Sequence, residues 1–167
     1  MGGNMNRTIT ALLNTQIQKE FEAAYNYIGF AAFFDKKGLS GFSKWYRVQA
    51  EEEKEHAMKI YDYLCRINQP IELLPVPAPK YKLENIEQVL KLGLEHEEYI
   101  TGLITTIYIQ AEKEQDFFTK NFLEWFIREQ FEEEESAKIL IEKYSNFGIT
   151  PQGLYILDRE MGTRSAR

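Results

Sequence analysis

The sequence predicts an all-α fold, a four-helix bundle with one long crossover and a short C-terminal fifth helix. Three observations lead to this prediction. Apolar residues recur with helical spacing along four long stretches. Four of the five prolines fall between the second and third of these stretches, at residues 70–79. Each stretch also carries one glutamate in the middle of its apolar face.

Breaks in the helical pattern set the boundaries of five predicted helices. Gly38 follows two lysines at the end of the first helix, a common arrangement at helix C-termini. Ser40 is a candidate N-cap of the second helix, and Thr150 followed by Pro151 is a candidate start of the fifth. Residues 163–167 have the composition of a frayed tail. The helices are expected to cover about residues 8–37, 40–68, 83–114, 116–146 and 151–161 of a single domain, residues 1–167.

The lengths of the connections predict the topology. Short joins follow the first and third helices, so each of these should be antiparallel to the next helix. The proline-rich link of ~15 residues reaches ~45 Å when extended, whereas a helix of about 28 residues is about 42 Å long. Because the link can cross the whole bundle, the second and third helices are expected to be parallel. The predicted order is therefore up-down-down-up.

Composition excludes several classes of function. The net charge of −6 argues against nucleic acid and anionic membranes as partners. No stretch is apolar enough to span a bilayer, and the N-terminus lacks the apolar core of a signal peptide. Gly2 is not followed by the Ser or Thr that a myristoylation site requires. The single cysteine, Cys65, excludes an internal disulfide framework, and we expect it to be buried in a cytoplasmic protein.

A glutamate at the centre of an apolar helix face is unusual. At about 100° per residue, apolar side chains from Phe42 to Ile67 fall within roughly 40° of Glu53 on the second helix. A charge in that position costs several kcal/mol unless it is compensated. In the predicted topology, one such glutamate from each helix reaches the same height to within one or two turns. The four are Glu20, Glu53, Glu97 and Glu133.

Four buried carboxylates at one height predict a metal site, because cations relieve their mutual repulsion. Inward glutamates with a Glu-x-x-His pair are the ligands of carboxylate-bridged two-metal bundles, and Glu53 and His56 form such a pair. Glu53 would bridge two ions, with Glu20 and His56 completing one site and Glu97 and Glu133 the other. These ligands suit Fe(II), Mn(II) or Zn(II).

The same crowding predicts a cost to the metal-free protein. Because His56 is the only possible cation among these residues, repulsion between the four glutamates and their desolvation should destabilise the fold and raise at least one carboxyl pKa. Glu53→Gln removes one charge at constant volume, so we expect it to stabilise the metal-free protein.

Five segments together resemble the non-haem ferritins of bacteria and archaea. They are NTQIQKEFEAAYNY, QAEEEKEHA, EHEEYITGLI, FLEWFIREQFEEEES and GLYILDREM, and the resemblance extends over nearly the whole chain. It implies a ferroxidase that oxidises Fe(II) to Fe(III) with O2 or H2O2 and binds two iron ions per subunit. It also implies a homo-oligomeric, hollow shell of 24 subunits that stores ferric oxyhydroxide mineral.

The resemblance assigns roles to individual residues. It makes Glu20, Glu53, His56, Glu97 and Glu133 the ferroxidase ligands. Gln130 would lie beside the second iron, and Tyr27 would form a hydrogen bond in the centre and act as an electron donor. A third, accessory iron site is matched by Glu52, Glu129 and Glu132 with Glu133. Glu52 and Glu132 lie about 100° from the centres of their apolar faces, so this site should be at a solvated rim.

Departures separate this chain from related families. Bacterioferritins carry Glu-x-x-His on the fourth helix, where this chain has Gln130 at the first position and Glu133 at the last. They also carry a haem-binding Met where this chain has Lys54, so no haem is expected. Rubrerythrins usually add a cysteine-rich iron module, which one cysteine cannot supply.

Two other classes of function remain open at this point. A soluble di-metal oxidase or oxygenase needs a substrate pocket beside the metals, and a non-catalytic bundle or mineral-nucleating subunit needs no complete ligand set. His96 lies about 100° from Glu97 and is expected to flank the site rather than bind metal. Large aromatics at helix ends and edges are expected to form subunit contacts, namely Trp45, Tyr46, Phe117 and Phe118.

Overall fold

The computed structural model of the protein describes residues 7–165, so the N-terminal segment with Gly2 lies outside it. All regular structure in this range is helical. The five helices are α1 (Arg7–Lys36), α2 (Ser40–Arg66), α3 (Ile86–Lys113), α4 (Phe117–Phe147) and α5 (Pro151–Met161).

Two separate apolar clusters show how the helices run. The first apolar cluster joins the start of α1 to the ends of α2 and α3 and to the start of α4; it includes Ile9, Leu64, Ile107 and Leu123. The second apolar cluster joins the opposite ends of these helices and includes Phe34, Phe42, Leu90 and Leu140 together with Leu157 of α5. Only an up-down-down-up order brings these ends together, so the predicted fold class is confirmed.

Local hydrogen bonds fix where the helices begin. The Asn85 side chain accepts a hydrogen bond from the Gln88 backbone N–H at 2.9 Å, so α3 begins three residues later than the sequence pattern predicts. Ser40 is the first residue of α2 rather than its N-cap, and the preceding Leu39 makes no side-chain capping bond. Thr150 caps α5 as predicted, accepting from the Gly153 N–H at 3.1 Å.

The crossover between α2 and α3 runs along α1. Asn14 donates to the carbonyl oxygen of Pro70 at 3.0 Å and accepts from the backbone N–H of Glu72 at 2.9 Å. Further along the crossover, Pro79 packs over Gly29, where an added Cβ would lie 3.9 Å from the proline ring. These contacts lie 15 residues apart on α1, about 22 Å along the helix, and they hold the link to the surface of the bundle.

The short helix α5 packs against the start of α2. The Phe42 N–H donates to Oδ1 of Asp158 at 2.9 Å. The backbones approach so closely at Gly41 that an added Cβ would lie 1.6 Å from the Asp158 carbonyl oxygen, so only glycine fits. This docking places the residues after α5 beside the middle of α2. Among the described helices, none combines the length and apolar character needed to cross a membrane.

Candidate metal centre

The four glutamates and His56 meet between the two apolar clusters. Each helix of the bundle contributes one glutamate, and α2 also contributes the histidine one turn later. None of the five residues is more than 4% exposed to solvent. Isolated charges with so little hydration are unfavourable, so the group requires protons or cations to balance it. We refer to these five residues as the centre.

The ligand atoms of the centre form overlapping groups of three. One group contains Glu20, Glu53 and His56, and another contains Glu53, Glu97 and Glu133. Within each group the atoms lie no more than 4.8 Å from one another. Glu53 belongs to both groups, which is the position that the sequence predicts for a bridging ligand.

Amide and hydroxyl donors hold the carboxylates in place. Tyr27 donates its phenolic hydrogen to Oε1 of Glu97, and Nε2 of Gln130 lies 3.2 Å from the other oxygen of the same carboxylate. Gln16 donates to Glu20 at 2.7 Å. The structure therefore places Tyr27 and Gln130 at the centre, as the resemblance implies.

Gln49 contacts the centre, and the sequence analysis does not predict this contact. Its Nε2 donates to Oε1 of Glu53 and to Oε2 of Glu133, both at 2.8 Å. The sequence does indicate that its side chain is buried, because Gln49 lies on the apolar face of α2, one turn before Glu53. A glutamine there, like Gln16 one turn before Glu20 on α1, is a polar group that requires a buried partner.

Unsatisfied polar atoms indicate that the centre suits a cation. Within residues 7–165, six buried side-chain polar atoms lack a hydrogen-bond partner, and four belong to the centre: Oε2 of Glu20, Oε2 of Glu53, Nδ1 of His56 and Oε1 of Glu133. Nδ1 of His56 lies 3.3 Å from Oε2 of Glu53 without forming a hydrogen bond. Three of these atoms are carboxylate oxygens, and buried oxygens without donors are the arrangement that metal ligation satisfies.

Burial and mutual repulsion shift most of the carboxyl pKa values upward. Burial, followed by the charge of Glu53, raises the pKa of Glu20 to about 8 and that of Glu133 to about 7. The same two causes raise the pKa of Glu97 well above its usual value. The expectation that at least one carboxyl pKa is raised is therefore confirmed. Near neutral pH, the metal-free centre retains protons on several of its carboxyl groups.

Glu53 departs from this trend because it pairs with His56. Burial alone would raise the Glu53 pKa, but the charge of His56, together with the hydrogen bond from Gln49, lowers it overall. Conversely, burial disfavours protonated His56, yet the neighbouring Glu53 carboxylate raises the histidine pKa to about 10. The destabilising groups are therefore Glu20, Glu97 and Glu133. The lowered pKa of Glu53 does not support the expectation that Glu53→Gln stabilises the metal-free protein.

The residues of the predicted accessory site differ in their exposure and contacts. Glu129 forms a third group of ligand atoms with His56 and Glu133, and its Oε1 lies 4.0 Å from Nε2 of His56. Glu132 is exposed. Glu52 is not at a solvated rim, as the sequence predicts, but only 4% exposed, because Arg164 from the segment after α5 covers it and pairs with it.

The C-terminal segment and several side chains have different surroundings from those that the sequence predicts. Residues 163–165 are not a frayed tail, because Arg164 contacts α2; residues 166–167 lie outside the described part of the chain. Tyr46 lies inside the second apolar cluster at 2% exposure and is not an edge aromatic. Cys65 is exposed rather than buried. His96 belongs to none of the ligand groups found among the described residues, and its ring packs edge-on against Tyr27.

A small cavity adjoins the centre. A cavity lined by Tyr27, Gly93, Glu97 and Glu133, among others, has a volume of about 10 Å³. One water molecule requires about 10–15 Å³ by this kind of measure. This cavity therefore has no room for an organic substrate.

Comparisons with known proteins agree with this geometry. The family model described as a Ferritin-like domain matches residues 10–147. A protein of Staphylococcus haemolyticus named bacterial non-heme ferritin is 34% identical over 161 residues, which cover 96% of this chain and 97% of the relative. A probable bacterial non-heme ferritin-like protein of Haemophilus influenzae is 29% identical over 163 residues, with 98% and 99% coverage.

Solved structures give the same result. The open pore ferritin of the hyperthermophilic archaeon Archaeoglobus fulgidus is 37% identical and superposes with a TM-score of 0.94, covering 96% of this chain and 98% of that one. An engineered closed form of the A. fulgidus ferritin is 36% identical with a TM-score of 0.95, covering 98% and 100%. The resemblance to prokaryotic non-haem ferritins is confirmed.

Proposed function

Because the chain belongs to the ferritin-like domain family, we propose that it is an iron-storage ferritin that oxidises Fe(II) at the centre and stores the ferric product. The observation that carries this proposal is the pair of overlapping ligand groups that share Glu53. Four carboxylates balance the charge of two Fe(II) ions, and one imidazole adds a neutral ligand. Iron is here the substrate and the stored product.

The proposed chemistry combines proton release from the centre with the oxidation of two Fe(II) ions. Glu20, Glu97 and Glu133 release their protons when divalent ions bind, because the raised pKa values belong to the metal-free state. Oxidation of two Fe(II) ions yields two electrons, which reduce O2 with two protons to H2O2, or H2O2 with two protons to water.

The small size of the cavity beside Glu97 and Glu133 favours storage over oxygenation of an organic substrate there. An oxygenase requires a pocket of several hundred Å³ beside its metals, whereas the cavity against Glu97 and Glu133 has about 10 Å³. A subunit that only nucleates mineral is disfavoured by the complete ligand set. We propose Glu129 as the principal ligand of an accessory third site, in view of its group with His56 and Glu133.

Stopped-flow absorbance tests the proposed ferroxidase activity. Two Fe(II) ions per chain are mixed with O2, and absorbance of Fe(III) is expected to rise within seconds, much faster than in a protein-free blank. Further additions of Fe(II) should remain soluble as ferric mineral. Binding of Fe(II) without accelerated oxidation would overturn the proposal.

We propose further that the chain assembles into a hollow shell of 24 subunits. Large apolar side chains remain exposed in the single subunit, among them Phe117 at 68%, Phe118 at 83% and Phe131 at 71%. Such exposure is typical of subunit interfaces. With a subunit mass of 19.7 kDa, sedimentation velocity should show a particle of about 470 kDa. A monomer as the only species at micromolar concentration would contradict the proposal.

A further inference from the structure

The residues after α5 return to α2 and make specific contacts there. The carbonyl oxygen of Gly162 accepts a hydrogen bond from Nζ of Lys44 at 2.9 Å. The guanidinium carbon of Arg164 lies 4.1 Å from the centre of the Trp45 ring, a cation–π distance. Its side chain is only 14% exposed. Arg164 is therefore fixed against α2.

From this position Arg164 contacts two side chains of α2 that lie next to the centre in sequence, Gln49 and Glu52. Its Nη2 donates to Oε1 of Gln49 at 2.8 Å and also pairs with the carboxylate of Glu52. Gln49 in turn donates to Glu53 and Glu133. A continuous series of hydrogen bonds therefore runs from the C-terminal segment to two predicted metal ligands.

The chemistry of the two side chains fixes the direction of this series. A guanidinium group can only donate hydrogen bonds, so the oxygen of the Gln49 amide must face Arg164. The amide nitrogen must then face the centre, where it can donate to both carboxylates. Without Arg164, the buried amide can rotate, and its oxygen would repel Glu53 and Glu133.

We propose that Arg164 is a positioning residue of the metal centre: it orients Gln49, which holds Glu53 and Glu133 in the geometry that binds metal. This inference rests on the proposed function of the centre. Metal affinity typically falls about 10- to 100-fold when a residue that orients a ligand is replaced. Arg164 acts through one intermediate residue, so we expect a loss near the lower end, about tenfold.

Positioning and simple electrostatics predict opposite results. Removal of the Arg164 charge leaves the Glu52 carboxylate without this cation, which by charge alone should strengthen the binding of a divalent cation. Loss of positioning should weaken the same binding. The sign of the change in affinity therefore discriminates between the two.

Titration of the assembled protein with Co(II) tests the proposal. Co(II) is chosen because O2 does not oxidise it during the titration. Arg164→Gln is expected to raise the Kd for the first Co(II) about tenfold and to change the visible absorption spectrum of the bound ion. Arg159→Gln is the matched control, because Arg159 is an exposed arginine on α5, five residues earlier. An unchanged or lower Kd for Arg164→Gln would overturn the proposal.

A double-mutant cycle shows whether the effect passes through Gln49. In a Gln49→Ala background, Arg164→Gln is expected to change the Kd less than about twofold. A full tenfold effect in that background would mean that Arg164 does not act through Gln49. A chain that ends at Thr163 removes the same guanidinium group and serves as the second variant if Arg164→Gln does not fold. Failure of the unmodified protein to bind Co(II) would instead refute the proposed function.

Discussion

Replacement of Glu53 with Gln is expected to slow the initial oxidation of Fe(II) at least about 100-fold, more than the loss of a residue that only orients a ligand. Glu53 supplies an oxygen to both principal ligand groups, and an amide cannot provide a negatively charged bridge between two cations. Stopped-flow absorbance with two Fe(II) per chain measures the effect. A rapid phase unchanged in rate and amplitude would contradict the assignment of Glu53 as the bridging ligand.

Glu129→Gln is the control for this experiment. Glu129 belongs to the third ligand group but to neither of the two groups that share Glu53, and it is partly exposed, so the first rapid phase should persist in this variant. Later turnovers should change, since they depend on the proposed accessory site. If both variants lose the rapid phase equally, the division into a central pair and an accessory site is wrong.

The effect of Glu53→Gln on stability should be opposite to the expectation from sequence. Because His56 lowers the Glu53 pKa, the two groups stabilise each other in the metal-free protein. Loss of the Glu53 charge, and with it the pairing to His56, should lower the free energy of unfolding of the metal-free protein by about 1–3 kcal/mol. A thermal melt of the metal-free variant above that of the unmodified protein would contradict this account.

The second large effect concerns pH: the metal-free protein is expected to lose stability as the pH rises from about 5 to 9. The pKa of Glu20 is raised in the folded protein from its usual 4.5 to about 8, and that of Glu133 to about 7, so the folded state binds protons that the unfolded state has released. The His56 pKa is raised from 6.5 to about 10, which acts in the same direction above pH 6.5.

The magnitude follows from proton linkage. One additional proton on the folded state corresponds to a loss of about 1.4 kcal/mol per pH unit, and the slope should reach at least this value near neutral pH. Urea unfolding of the metal-free protein at a series of pH values measures it. Glu20→Gln, which resembles the protonated carboxyl group, should reduce the slope. A flat or rising stability over this range would contradict the pKa assignments.

Helical periodicity, together with the predicted topology, was sufficient to predict which glutamates meet inside the bundle, because the apolar face of each helix defines which side chains point inward. Glu20, Glu53, Glu97 and Glu133 lie in the middle of those faces, and no long-range information is needed to bring them together. The start of α3 was less predictable because a local capping interaction at Asn85 ends the extended crossover after the helical pattern has begun.

The environment of Glu52 could not be predicted because it depends on a contact between distant parts of the chain. Its position about 100° from Glu53 places it at the edge of the apolar face. Arg164 covers that edge only because α5 docks against α2, where Gly41 lets the two backbones approach. Periodicity on α2 carries no information about a partner more than 100 residues away.

The separation of the two apolar clusters by the centre has a consequence for redesign of this protein. Side chains of the first cluster, such as Leu123, belong to a different contact network from those of the second, such as Leu140. Effects of substitutions at distant sites without shared partners usually add. We therefore expect that the side chains of each cluster can be replaced independently of the other cluster. Subunits with different melting temperatures could then be obtained while the five residues of the centre stay the same.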